Sequence, residues 1–549
     1  MRVADGPRAH EAARAAPVSR SHTQTSPWSP LHEPLFRGLW LAALTSNIGM
    51  WAQDVGTAWL MTSLAPTALM VSLAQTAMNL PYFLLALPAG ALADVVDRRR
   101  LLLIAQAWMM GSAAVLGVLT VFGVTTPWVL LLLTFSLGIG AALNAPAYQA
   151  IVPEVVPKGQ VPAAVALSSV GINLARAVGP ALGGFIVAAA GSGAAFFLNA
   201  ACFIGMMVVL YRWKHVPRDG GLPAERFVGA MRAGVRFLRH APPLQTVLIR
   251  AAAFILCGSA FWALLPLIVR FEMQREAGAY GLLLGCFGGG AVLGAAILPR
   301  LRARMTADQL TVAATILFAG LLLLLSVLRD FAGIGLALIV GGAAWLTMLS
   351  TFNGRAQAAV PGWVRGRAMA VYLLVFFGGM AGSSAVWGLI AFWTGVPTAL
   401  MLAAAGLGLG LVTVVKYKLE AGEKLDLTPS RHWPAPAFVD MADPERQSAV
   451  VTVEYRIDPQ QKKPFLERLH ALRDIRVRDG AVHWEVLSDT ADPTRYLEMF
   501  ILDSWTDHLR QHERVSVTDR EIEQQVRGFH TGPTAPVVTH FLSEGYDQE

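Results

Sequence analysis

From residue 36 to residue 417 the chain is a succession of apolar runs, each long enough to cross a bilayer. A spanning helix needs about 20 mainly apolar residues. Twelve stretches qualify: about 36–62, 68–93, 101–122, 127–149, 162–189, 194–213, 244–270, 278–299, 307–328, 331–352, 366–393 and 396–417. Charged residues are only 15% of the 549 and hydrophobic residues 54%. Ordinary soluble domains carry roughly 25% charged residues. The expectation is an all-α polytopic membrane protein with the lipid bilayer as its partner. The pI near 9.5 does not indicate nucleic acid, because the basic residues lie between apolar spans rather than on a soluble face. Cys202, Cys257 and Cys286 all sit inside apolar runs, so neither a disulfide framework nor a metal cluster is expected of them.

Loop charge sets the orientation. One set of connections holds Arg98 to Arg100, then Lys158, then Arg212, Lys214, Arg218, Arg226, Arg232, Arg236 and Arg239. It continues with Arg300, Arg302 and Arg304, with Arg355, Arg365 and Arg367, and with Lys416 and Lys418. The alternate loops SLAPTA, FGVTTP, AAAGSGA and WTGVPT carry no charge. The positive-inside rule places the basic set in the cytoplasm. Both termini are then cytoplasmic, as an even number of spans requires.

QAIVP at Gln149 returns as QAAVP at Gln357, 208 residues later. The first and seventh spans start with about the same separation. Two six-helix repeats follow, occupying 35–213 and 244–418, after a polar tail at 1–34. Parallel repeats of this kind place substrate at their interface near the bilayer midplane. The joining segment 214–243 contains AERFVGAMRAGVRFLRH, apolar at helical spacing among arginines. It reads as an amphipathic helix on the inner membrane surface.

Two motifs resemble the major facilitator superfamily. GALADVVDRRR at 90–100 is similar to the signature of its loop 2–3: Gly90, Asp94, Arg98 and Arg99 match, while Val95 and Asp97 depart from it. The resemblance implies a latch in which Asp94 at a helix end pairs with an Arg or accepts from a helix N-terminus of the other half. GINLARAVGPALGG at 171–184 resembles the antiporter signature through Gly171, Arg176, Gly179, Pro180, Gly183 and Gly184. Glycines at four-residue spacing let helices approach closely, and Pro180 bends the span. Arg176 lies deep in an apolar span, which is costly unless the side chain is paired or wet. The repeat-related position is Ser384, so the arginine belongs to the first half alone, which favours export by antiport.

Asp54, in NIGMWAQDVGTAW, is an acid within span one. By helical rise, Asp54 and Arg176 lie about 27 and 21 Å from the cytoplasmic ends of their spans, so the two could meet. Two roles stay open for Asp54: a carboxylate that carries a proton, or a static partner of Arg176. Asn47, Trp51, Gln53, Asn79, Asn144, Asn353 and Gln357 are cavity candidates, with Gln75, Gln149, Asn173 and Ser383, and with Tyr82, Trp262 and Phe376 as apolar lining.

After Lys418 the composition changes. Residues 419–447 read as a linker and 448–543 as a C-terminal α+β ferredoxin-like domain in the order β-α-β-β-α-β. This tail looks like the small barrels of the antibiotic-biosynthesis monooxygenase type. With the spans, it resembles the transmembrane secretion effector family, the branch that includes the enterobactin exporter. His470, His483, His508 and His512 lie in the tail, but they assemble no motif. No catalytic residue, cofactor or metal site is assigned, and the tail is expected to be regulatory or dimerising, a candidate surface for self-association. No phosphate loop is present, which disfavours ATP drive. The expected function is a proton-coupled exporter of a small amphipathic molecule, a siderophore or drug by resemblance, in a bacterial inner membrane. The alternatives are an importer of the same fold and a membrane-tethered monooxygenase.

Overall fold

A computed structural model describes Ser26 and residues 28–213, 236–419, 426–430, 432–433 and 447–543, without the side chains of 87, 91, 93–95 and 158. The 1–25 tail and most of the 214–243 segment, with its expected amphipathic helix, lie outside the described residues. So does the Asp94 side chain, and with it the expected latch.

Among the described residues, ten helices are long and apolar enough to cross a membrane. One of them, Val161–Arg212, runs for 52 residues and bends at Gly191, where φ is +79°. Glycine alone takes that conformation without strain, so this helix supplies spans five and six. The helix Pro34–Leu64 adds span one, and the total is twelve. The other spans are Ala68–Val95, Arg98–Val121, Pro127–Ile151, Pro242–Leu267, Ala277–Arg302, Ala307–Val327, Phe331–Ala358, Arg365–Thr394 and Val396–Gly410. Local signals set their ends. Thr67, Asp97, Thr126, Thr306 and Asp330 each cap a span by accepting a backbone N–H, which satisfies donors that a helix start leaves free. Asp97, a departure from the loop motif, is therefore the cap of span three.

The repeat is visible in the packing. Span one packs on the kinked pair five and six, two on four, three on four, and three on the kinked pair. Span seven packs on eleven and twelve, eight on ten, nine on ten, and nine on twelve. QAIVP and QAAVP end spans four and ten, and Ile151, Val152, Ala359 and Val360 are all buried there. Large apolar side chains such as Ile104, Leu132, Phe185 and Trp393 remain exposed on the outer surface, as lipid contact requires.

Span seven carries one buried cation. Arg250 is 5% exposed. It is ion-paired with Asp308, donates to Thr311 Oγ1 at 2.5 Å, and Asp308 also accepts from the Leu419 backbone at 3.2 Å. The pair ties spans seven and nine to the chain's exit from span twelve. Removing one member of a buried pair leaves an uncompensated charge, at a cost of about 3–5 kcal/mol. Arg250→Ala is therefore expected to lower the melting temperature of the purified protein sharply, while Arg250→Lys costs less. Equal melting of wild type and Arg250→Ala would show the pair to be dispensable.

The tail forms a four-stranded antiparallel sheet in the order β2-β3-β1-β4, from β1 (Ala449–Arg456), β2 (His483–Ser488), β3 (Arg495–Leu502) and β4 (Val537–Leu542). Helices Lys462–Asp479, Trp505–Arg514 and Val517–Arg527 accompany it. In β1 the alternation is strict: Ala449, Val451, Val453 and Tyr455 are buried and the residues between them are not, as a sheet covered on one face demands. Gly480 closes the first helix at φ +148°. Part of the expected linker lies on the tail: Pro429 bridges to Ser516, and Trp433 Nε1 donates to Glu523 at 3.0 Å. The tail also touches the membrane part. Arg514 sits 4.4 Å over the Trp363 ring and Arg478 5.9 Å from Phe237.

Candidate functional site

Two crossings dominate the contact between the halves: span five on span eight, and span two on span eleven. In the first, small residues allow backbone contact. A Cβ at Gly184 would lie 2.6 Å from Gly281 Cα and 2.8 Å from the Ala277 carbonyl oxygen. A Cβ at Gly288 would lie 2.5 Å from the Arg176 carbonyl oxygen. On the opposite side of span five, a Cβ at Gly183 would lie 2.5 Å from Ala52 Cα, and one at Gly179 3.0 Å from the Ile48 carbonyl oxygen. The glycine motif thus lets one span approach span one and span eight at once. Gly171 is looser, its nearest neighbour being Trp40 Nε1 at 3.3 Å.

In the second crossing, Gly388 meets Ser72 and Ala68. Thr76 Oγ1 donates to the Ala381 carbonyl at 2.8 Å, and Tyr82 stacks on Phe377 with ring centres 4.4 Å apart. Arg270 of span seven crosses to span one, donating to Thr62 Oγ1 at 2.8 Å and Ser63 Oγ at 2.5 Å and covering the Trp59 ring at 5.0 Å. The Gly388, Thr76 and Arg270 contacts lie toward the ends of the spans remote from the arginine-rich loops, and the Tyr82–Phe377 stack lies near mid-span.

Below this closure sit the central aromatic residues. Trp51 of span one and Trp262 of span seven have ring centres 6.0 Å apart. Trp262 continues into Phe261, Phe287 and Trp345, and its buried indole N–H has no hydrogen-bond partner among the described residues. Arg176 lies 5.7 Å from the Trp51 ring, with its Nε buried and without a hydrogen-bond partner among the described residues. A cation over an indole face is attracted by the ring quadrupole. Trp51 and Trp262, named from sequence, therefore meet at the boundary between the halves, and Tyr82 meets Phe377 across it.

The polar candidates divide. Asp54 is one helical turn from Trp51, yet no ion pair or hydrogen bond joins it to Arg176 among the described residues. It shares a small cavity inside the first bundle with Gln53, Thr57, Met78, Thr134 and Asn199. Gln53 accepts from Asn199 at 2.5 Å, and Asn144 accepts from Gln106 at 2.9 Å, so both tie helices within that bundle. Asn79 bonds back to Gln75, Asn47 to the Ala43 carbonyl and Asn173 to the Ser169 carbonyl. Asn353 and Gln357 pair along one exposed face of span ten. Ser383 meets Ser259 at 2.7 Å. In the loop motif, a Cβ at Gly90 would find open space. Arg98 pairs with Glu154, and Arg99 donates to the Leu210 and Tyr211 carbonyls at 2.7 Å each, capping the end of span six. Asn199, Gln106, Arg270 and Ser259 were not singled out from sequence. Their only signal is a polar residue in an apolar run, and tertiary pairing gives it meaning.

The tail holds its own polar layer. Glu498, fully buried, accepts from Tyr455 Oη, Trp484 Nε1 and Arg476 Nε at 3.1, 3.1 and 3.2 Å. Burial, and then the imidazoles of His512 and His540, push His508 down to about 3. Burial, and then His540, push His512 down to about 4. Both are neutral near pH 7.

The whole chain resembles known transporters. Residues 25–548 match the family described as transmembrane secretion effector. The chain is 29% identical over 426 residues to YfiS, an uncharacterized transporter of the major facilitator type from Bacillus subtilis (strain 168), covering 73% of this chain and 99% of that one. It is 26% identical over 307 residues to the enterobactin exporter EntS of Shigella boydii serotype 18, covering 55% and 69%. Its fold resembles a bacterial homologue of the human lysosomal transporter Spinster, solved in an inward-facing, unoccupied conformation, with a TM-score of 0.54 at 14% identity over 72% of this chain and 97% of that one. The chain belongs to the transmembrane secretion effector family of major facilitator transporters.

Proposed function

We propose that this transporter is a proton-coupled exporter, moving a small amphipathic molecule out of a bacterial cell by alternating access, with both termini in the cytoplasm. The likeness to the enterobactin exporter supports the outward direction, and the close contacts between the two halves support alternating access. Loop charge assigns the basic end to the cytoplasm. With that orientation the remote crossings close the outer side, and an exporter would load its substrate from within. Trp51, Trp262 and Tyr82 offer flat apolar surface at the boundary, and Arg176 offers a cation for an anionic or polarised group. Apolar walls with few polar groups are what a small-molecule site requires. A siderophore or drug as cargo rests on the likeness to the enterobactin exporter. Asp54 is the proposed proton carrier, since an ionisable group inside a span is costly to keep without a role. For the tail, the open sheet face, with Val537 and Phe541 exposed, is the proposed surface of self-association.

Metabolite profiling of cells and medium tests the direction. A deletion strain is expected to retain a compound that the wild-type gene releases. Loss of uptake of a medium component would instead indicate import.

Arg270 is the proposed clasp of the outer side. Arg270→Ala is expected to raise, several-fold, the labelling of a cysteine placed at Ser72 by an impermeant maleimide added outside. Unchanged labelling would remove Arg270 from the closure.

A further inference from the structure

Three histidines of the tail converge although the sequence holds them apart. His508 and His512 are four residues apart on the helix Trp505–Arg514, so they share one face. His540 stands on β4 directly opposite Val451 of β1. Residues opposite each other in an antiparallel pair share a sheet face. Val451 is 2% exposed, so His540 turns to the helix-covered side.

The rings then meet. The His508 and His512 Nε2 atoms are 3.2 Å apart. His508 has its ring centre 4.8 Å from those of both His512 and His540. One ligand nitrogen from each of the three lies within 4.8 Å of the others. His508 is 1% exposed and its Nδ1 has no hydrogen-bond partner among the described residues, while His512 and His540 are reachable from solvent. Trp505 packs on His508 and His540, and Trp433 on His512.

We propose that His508, His512 and His540 form a three-imidazole site for a divalent transition metal of the zinc class, with one coordination position open. Zinc–imidazole bonds of about 2.0–2.1 Å in tetrahedral geometry set ligand nitrogens a little over 3 Å apart. The His508–His512 pair is already at that spacing, and His540 closes the triangle by a small ring movement. Imidazole selects zinc, copper, nickel or iron over calcium and magnesium, which take oxygen. Three protein ligands are the pattern that leaves a place for water or a fourth donor. β4 is an edge strand paired only to β1, so the metal would clip this strand to the helix layer. Glu523 accepts from Trp433 at 3.0 Å and lies 3.4 Å from His432.

In the sequence, His508 and His512 look like solvated helical residues, and His540 stands 28 residues beyond them on a separate strand.

The test uses full-length protein without a histidine tag, purified metal-free in detergent and titrated with zinc chloride. One equivalent is expected to bind, with the Kd weakened at least about 100-fold in His512→Ala and in His540→Ala and unchanged in His470→Ala. Cobalt(II) added to wild type is expected to give the intense visible bands of a four-coordinate site, bleached by zinc. This second measurement does not depend on how the variants fold. Absence of both stoichiometric zinc binding and the cobalt bands overturns the proposal. So does binding that survives His512→Ala combined with His540→Ala.

Discussion

Asp54→Asn is expected to stop proton-driven export while leaving a folded protein in the membrane. Asparagine nearly preserves the shape of the carboxylate and its place beside Gln53, Thr57 and Asn199. It cannot bind and release a proton near neutral pH. If the proton is the driving ion, uphill transport falls to background, but downhill exchange of substrate across the membrane continues. Asp54→Glu keeps the acid and retains part of the activity. Flux in energised cells or vesicles, normalised to expression, checks this. Full uphill transport by Asp54→Asn would place coupling elsewhere. Arg176→Gln at the Trp51 ring separates the two residues: loss of substrate affinity with proton drive intact would place the arginine in binding rather than coupling.

Gly184→Val is expected to be as damaging, for a different reason. A Cβ there falls 2.6 Å from Gly281 Cα and 2.8 Å from the Ala277 carbonyl. Both are backbone atoms, so no side-chain rotation relieves the clash, and overpacking costs about 1–3 kcal/mol or more. The crossing of spans five and eight must open. The close contact of the halves at the ends remote from the basic loops is then lost, and transport with it, while the spans still insert. Gly288→Val faces the Arg176 carbonyl at 2.5 Å and shares the defect. Gly289→Ala is the control, because nothing lies within 4 Å of its Cβ. Cross-linking of cysteines placed on spans five and eight, read beside transport, distinguishes lost closure from lost folding. Normal transport by Gly184→Val would mean that the cycle does not need this close approach.

Much of the membrane part was legible in the chain because lipid makes span length and loop charge obligatory. Eleven apolar runs stand as separate helices or arms, and the break between spans five and six falls at Gly191 as the uncharged turn suggested. The twelfth run is shorter than expected as one helix, ending at Gly410 before a further turn at Val412–Lys416. The strands of the tail were readable because alternation has period two and its ends carry turn residues. Glycine spacing in span five announced close packing, but not that both faces of the span are used.

What the chain hid are pairings between distant residues. Gln53 and Asn144 read as cavity candidates, and the chain did not show that each bonds a neighbour in its own bundle, Asn199 and Gln106. Asp54 and Arg176 matched in depth, but depth does not fix the azimuth around a helix: the arginine rests on Trp51 while the acid faces the bundle interior. Arg250 and Asp308 are 58 residues apart in sequence, and His540 meets His508 only because β4 pairs with β1. In each case the strand or helix was visible, and the partner was set by tertiary packing.

Proton-coupled export is tested most directly by efflux from cells preloaded with the compound that the deletion strain retains. The medium is held more acidic than the cytoplasm, and the gradient is then collapsed with a protonophore. The account expects wild-type cells to release the compound against its concentration gradient, and release to stop within the collapse. Uphill release that persists without the proton gradient, or net uptake under it, would contradict the account.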